Sequence, residues 1–96
     1  MLDHNKMDTE LQDLLRALLV LETQEEAAAL LDDLCTLKEI RSLAQRLQVA
    51  RLLGEGKTFT EIADRTGASS ATIARVNRCL QAGPGGYKTV LDRMEK

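Results

Sequence analysis

The sequence predicts an all-α chain of six short helices, and three observations lead to that reading. Hydrophobic residues make up 44% of the 96 positions, yet Phe59 and Tyr87 are the whole aromatic content. Leucine and alanine therefore supply most of the apolar surface, and they favour helices over the pleated surfaces that β-branched and aromatic residues fill. Apolar positions also recur every three or four residues, the helical period, and no stretch alternates as a strand would. Finally, Thr-x-x-Glu/Gln recurs at Thr9, Thr23, Thr36 and Thr58, each time ahead of such a pattern. In this capping box, the two side chains each satisfy a free N–H at a helix start. A chain of this length accommodates one small domain, 1–96, and no linker is long enough to divide it.

Residues 1–8 lack periodicity and read as a frayed end, with His4 exposed within it. A first helix, 10–22, starts from Thr9 and Gln12 and carries Leu11, Leu14, Leu15, Leu18, Leu19 and Leu21. That stripe is wide for a helix at the edge of so small a domain, so a second layer or a partner chain must cover it. The second helix, 24–35, opens at Thr23 and Glu26 and turns Ala27, Leu30, Leu31 and Leu34 inward. In the third, 37–53, Ile40, Leu43, Ala44, Leu47, Ala50 and Leu53 form the stripe, with Arg41, Arg46 and Arg51 off it. Gly54 and Gly56 stop it. Together residues 9–54 make a helical body suited to dimerisation.

Residues 58–80 have a different character. Thr58 and Glu61 cap a short helix whose Ile62 and Ala63 face inward. Gly67 provides the left-handed residue that turns the corner. Ser69 then caps a second helix with Ile73, Val76 and Leu80 as its buried stripe. Alanine at 63 leaves room for two helices crossing steeply, and Ile73 folds back to fill the space between them. This is the pattern of a helix-turn-helix, whose second helix enters the major groove of DNA. Ser70, Ala71, Thr72, Ala74, Arg75 and Arg78 lie off the stripe. Small groups followed by guanidinium groups suit close approach to base edges and phosphates. Lys57, Thr58 and Ser69 at the helix starts complete the expected DNA contacts, assisted by backbone N–H groups. After the break at Gly83-Pro84-Gly85-Gly86, a last helix, 86–95, places Tyr87, Val90, Leu91 and Met94 on one side.

A net charge of −2 conceals a division. Residues 1–40 hold three Lys/Arg against ten Asp/Glu, a net of −7, and residues 41–96 hold ten against five, a net of +5. The basic part contains the helix-turn-helix, and such polarity can orient a protein on DNA. Scarce aromatics argue against stacking recognition of single strands. Cys35 and Cys79 stand apart without metal-ligand spacing, as small apolar fillers in a reducing compartment. With no phosphate loop, no paired carboxylates near a base and no cofactor motif, the chain reads as a non-enzyme that needs neither cofactor nor metal. Without a signal-peptide pattern or a membrane-length apolar run, the expected location is cytoplasmic.

The residues also resemble a known family. Gly67-Ala68, Ala71-Thr72-Ile73, Arg75, Asn77, Leu80, Ala82 and Pro84 are similar to the reading head of the Trp repressor. The likeness is greatest to its YerC/YecD-type relatives, through LCTLKEIRSLAQRLQVARLL, GKTFTEIADRTGASSATIARVNRCL and GYKTVLDR. The resemblance implies an intertwined, all-helical homodimer acting on double-stranded DNA as a transcriptional regulator, a repressor by analogy. It also implies an effector pocket at Gln45, Arg46, Arg75 and Cys79. Arg75 matches the family's arginine, but the arginine expected on the long helix falls on Gln45, with Arg46 about 100° around the helix. The expected serine falls on Cys79. A carboxylate ligand loses a cationic clamp, so tryptophan is not expected to bind and a small-molecule corepressor stays open. The resemblance also implies base-reading positions at Thr60, Ser70, Ala71 and Ala74, where the side chains differ from those that would predict the Trp operator. Two other readings fit parts of the pattern: an adaptor gripping another helix with its acidic, leucine-rich front, and the DNA-binding arm of a transposase. Salt-dependent binding to duplex DNA separates the regulator from the adaptor.

Overall fold

The computed structural model describes residues 2, 3, 6 and 8–95. His4 and half of the expected frayed end lie outside them. Six helices follow in order: α1 (Thr9–Leu19), α2 (Gln24–Leu34), α3 (Leu37–Gly54), α4 (Phe59–Thr66), α5 (Ser70–Ala82) and α6 (Gly86–Met94). No strand occurs among the described residues. Contacts divide the chain into two compact units, Met1–Leu37 and Lys38–Lys96.

In the first unit, the expected Thr9 cap is replaced by Asp8, whose Oδ1 accepts the Leu11 N–H at 2.8 Å. A carboxylate is the stronger acceptor and also suits the positive end of the helix dipole. α1 stops at Leu19, short of the expected 22, because the next residues serve the following helix. Thr23 Oγ1 accepts the Glu26 N–H at 3.0 Å, and Glu26 Oε1 accepts the Glu22 N–H at 2.8 Å. The box is therefore stretched by one residue, since Glu26 reaches back past the cap. α1 and α2 contain no buried residue. Leu14, Leu18, Leu19 and Leu34 of the expected inward stripes are exposed.

The second unit holds the core. Val49, Ala50 and Leu52 from α3, Ile62 from α4, Ala68 from the turn, and Ile73 and Val76 from α5 are buried. Leu53, Ala63, Leu80, Tyr87 and Leu91 pack around them. Two expectations are corrected here. On α3 the expected stripe is covered only in part: Ala50 is buried and Leu53 packs on the core, whereas Leu43 and Ala44 are exposed, and Val49 and Leu52, outside the stripe, are buried as well. Apolar residues ring the end of α3, and its neighbours cover the Val49–Leu52 side. On α6, Tyr87 and Leu91 pack inward, one turn apart, and Val90 and Met94 are exposed. α3 ends in a Schellman turn: Lys57 N–H donates to Leu52 O at 3.1 Å and Gly56 N–H to Leu53 O at 3.0 Å. That turn needs the positive φ of Gly56, +85°.

Candidate nucleic-acid interface

α4 and α5 form a helix-turn-helix as the sequence predicts. Thr58 Oγ1 accepts the Glu61 N–H at 3.2 Å and starts α4. Gly67 ends it at φ +72°, donating its N–H to Ala63 O at 2.9 Å. Ser69 Oγ accepts the Thr72 N–H at 3.1 Å and donates to Thr72 Oγ1 at 3.0 Å, which fixes the start of α5. Ile62, Ala68, Ile73 and Val76 fill the angle between the two helices. Ala68 was not anticipated as core. Its place directly after the turn glycine is the signal, because the chain must pass inward there to begin α5.

The predicted contact residues fall into two groups by exposure. Thr58, Thr60, Ser69, Ser70, Ala71, Arg75 and Arg78 are exposed, whereas Lys57, Thr72 and Ala74 are half-buried. Ile73 and Val76 set the inward direction of α5, and at 100° per residue Ala71 and Arg78 point nearly opposite, with Arg75 about 130° around the helix. No acidic residue lies on α5. Its outward side is thus methyl groups at the start and guanidinium groups further along. The helix start directs the first N–H groups outward, where an anion can meet them. Lys57 has given its own N–H to Leu52, so only its ammonium is left to meet a phosphate.

The residues of the expected effector pocket are engaged differently. Gln45 Nε2 donates to Thr66 O at 3.1 Å, bridging α3 to the end of α4. Arg46 Nε donates to Ser42 O of its own helix at 3.4 Å. Arg75 is exposed and Cys79 is a half-buried free thiol. A cleft of about 390 Å³, walled by Arg51, Leu80, Lys88 and Leu91, lies elsewhere in this unit and includes none of the four. Thr66 is a turn-holding residue that the sequence reading missed. Its Oγ1 donates to Ile62 O at 2.7 Å and accepts the Ala68 N–H at 3.1 Å, so it stitches the turn from inside. A threonine directly before a turn glycine is the pattern that could have found it. Among the described residues, no group of three or more His, Cys, Asp or Glu is placed to hold a metal ion. Nor, among the described residues, is any helix long and apolar enough to cross a membrane.

An all-α chain carrying a capped helix-turn-helix with a cationic, acid-free second helix belongs to the class of helix-turn-helix proteins. Within that class it belongs to the Trp repressor family, whose defining sequence pattern, described as Trp repressor protein, matches residues 9–95. It is 52% identical over 87 residues to the uncharacterized protein YerC of Bacillus subtilis (strain 168), which covers 91% of this chain and 84% of that protein. A crystal structure of a candidate Trp repressor from Staphylococcus aureus matches with a TM-score of 0.92 at 46% identity, covering 99% of this chain and 95% of the other. A TrpR-like protein from Eubacterium eligens ATCC 27750 matches with a TM-score of 0.91 at 42% identity, covering 97% and 96%. Members of the family are regulators rather than enzymes.

Proposed function

We propose that this chain is a sequence-specific, double-stranded-DNA-binding transcriptional regulator, a repressor, that works as a homodimer and sets α5 into the major groove. The observation that carries the reading is the outward side of α5. Ala71, Arg75 and Arg78 are exposed there, opposite the buried Ile73 and Val76, with no carboxylate on the helix to repel phosphate. Arg75, Arg78 and Lys57 supply charge to the phosphates. Thr58, Thr60, Ser69 and Thr72 supply hydroxyls, and Ser70, Ala71 and Ala74 approach the base edges. A dimer doubles the reader by placing two α5 helices about one turn of DNA apart, ~34 Å. Unpartnered leucines on α1 and α2 support that assembly. No cofactor is required. Tryptophan is not its ligand, because glutamine stands where a carboxylate clamp needs a guanidinium.

Selecting bound sites from random duplex DNA tests the proposal. The expected product is a palindrome with half-sites about ten base pairs apart, bound with a steep dependence on salt. Arg78→Ala should weaken binding to all duplexes alike and lower the salt slope by about one, while Ala71→Ser should change the preferred sequence. Failure to enrich any duplex, with no salt-dependent binding, would transfer the chain to the adaptor class.

A further inference from the structure

We infer that Gln45 is a positioning residue that presets the reading head, so that this protein binds DNA without a small-molecule effector. The inference rests on the proposed DNA-binding function and concerns what holds its site in shape. α4 is only eight residues long and ends in carbonyls that its own backbone does not satisfy. The Ala63 carbonyl is taken by the Gly67 N–H. Thr66 O, at the last residue of the helix, receives the Gln45 amide from α3, 21 residues earlier in the chain, at 3.1 Å in a partly buried setting. Only the Nε2 end of the amide can donate, so its orientation is determined by the chemistry of the partner.

This bond acts at the residue that controls the turn. Thr66 also ties to Ile62 O and to the Ala68 N–H through its hydroxyl. Gln45 therefore clamps a turn that is already closed on itself and fixes it to α3. The turn sets the direction in which α5 leaves α4. If the turn wavered, α5 would have to be ordered at each binding event, and the apparent affinity would fall with the fraction of competent molecules. An effector can raise affinity only by filling a competent state that is underpopulated. A reading head held from within leaves an effector little to add.

The test uses the full chain and the duplex that the wild-type protein selects. Gln45→Met keeps the length and removes the donor. Gln45→Lys keeps a donor, and its cation suits the negative end of α4. Gln45→Glu places a carboxylate against the Thr66 carbonyl. Well below the melting temperature, the expected order of affinity is wild type and Gln45→Lys together, then Gln45→Met weaker by roughly three- to tenfold, then Gln45→Glu. Amide exchange at Gly67 and Ala68 should accelerate in Gln45→Met while the amides of Val49 and Val76 stay protected. Wild-type affinity should not change on adding L-tryptophan or other amino acids. Equal affinity and equal turn exchange in wild type and Gln45→Met would overturn the inference, as would a wild-type protein that binds its duplex only with an added amino acid. Should the wild type bind no duplex at all, the DNA-binding reading fails, and the exchange of Gly67 and Ala68 still decides whether Gln45 holds the turn.

Discussion

Two glycines around α5 are required for different reasons. Gly67 sits at φ +72° with open space where a Cβ would be, so its constraint is purely conformational. Gly67→Ala should cost about 1–2 kcal/mol, the penalty of the left-handed region, and Gly67→Asn clearly less. Gly83 has an ordinary φ, but a Cβ there would overlap the Cys79 carbonyl oxygen, a backbone atom that cannot swing away. Gly83→Ala should cost about 1–3 kcal/mol by overpacking. Gly54 meets neither obstacle, and Gly54→Ala should stabilise by about 0.4–1 kcal/mol. Urea denaturation of the three alanine variants checks the set, and a Gly83→Ala protein as stable as Gly54→Ala would refute the steric account. The turn at Gly67 was legible in the sequence because glycine between two capped helical patterns has few other uses. The obstacle at Gly83 was not, since it depends on how the last turn of α5 closes. The cap of α1 was half legible: Asp8 and Thr9 both qualify, and only geometry selects the carboxylate.

Within an element, periodicity shows that a helix has an apolar side but not which side is covered. On α5 the two coincide. Ile73 and Val76 are the only branched apolar residues in its middle, and both are buried. On α3 apolar residues occupy 37, 40, 43, 44, 47, 49, 50, 52 and 53, which is more than one face, and the neighbours decide. The contact between Gln45 and Thr66 was equally hidden, because nothing in a helical pattern reveals a partner 21 positions away. The division of labour on α5 gives a paired prediction. Ile73→Ala removes a side chain only 1% exposed and should cost about 2–5 kcal/mol, lowering stability and DNA binding together. Arg78→Ala removes an exposed guanidinium and should leave the melting temperature within a degree or two while weakening DNA binding. Thermal denaturation alongside a DNA titration separates the two, and a large drop in melting temperature for Arg78→Ala would place that arginine in the fold instead of the interface.

For the molecule as a whole, the front of the chain poses a problem that its own residues do not solve. α1 and α2 have eleven residues each and bury none of them. Helices shorter than about 12–15 residues are marginal in water unless an apolar face is packed. Their caps at Asp8 and Thr23 supply about 1 kcal/mol each, and the Arg16–Asp13 pair is exposed and adds little. Leu19 and Val20, 84% and 73% exposed, make the same point from the other side, because adjoining exposed apolar side chains mark an interaction surface. The wide leucine stripe of α1 was read from the sequence as needing a cover, and the structure covers it only in part: Leu11, Leu15 and Leu21 are half-buried, and Leu14, Leu18 and Leu19 are exposed. A second copy is the cover consistent with an operator of two half-sites, since two-fold symmetry of protein and DNA then match. Sedimentation equilibrium at micromolar concentration should give twice the 10.6 kDa of one chain. Leu18→Glu, in the middle of the exposed stripe, should shift the protein to monomer, reduce its helix content as α1 and α2 lose their cover, and abolish binding to the full palindrome. Its second unit should keep the Val49–Ile62–Ile73 core, so that weak binding to a single half-site survives. A wild-type protein sedimenting as a single chain at that concentration, with α1 and α2 fully helical, would show that these helices need no partner, and the dimer would be lost with that argument.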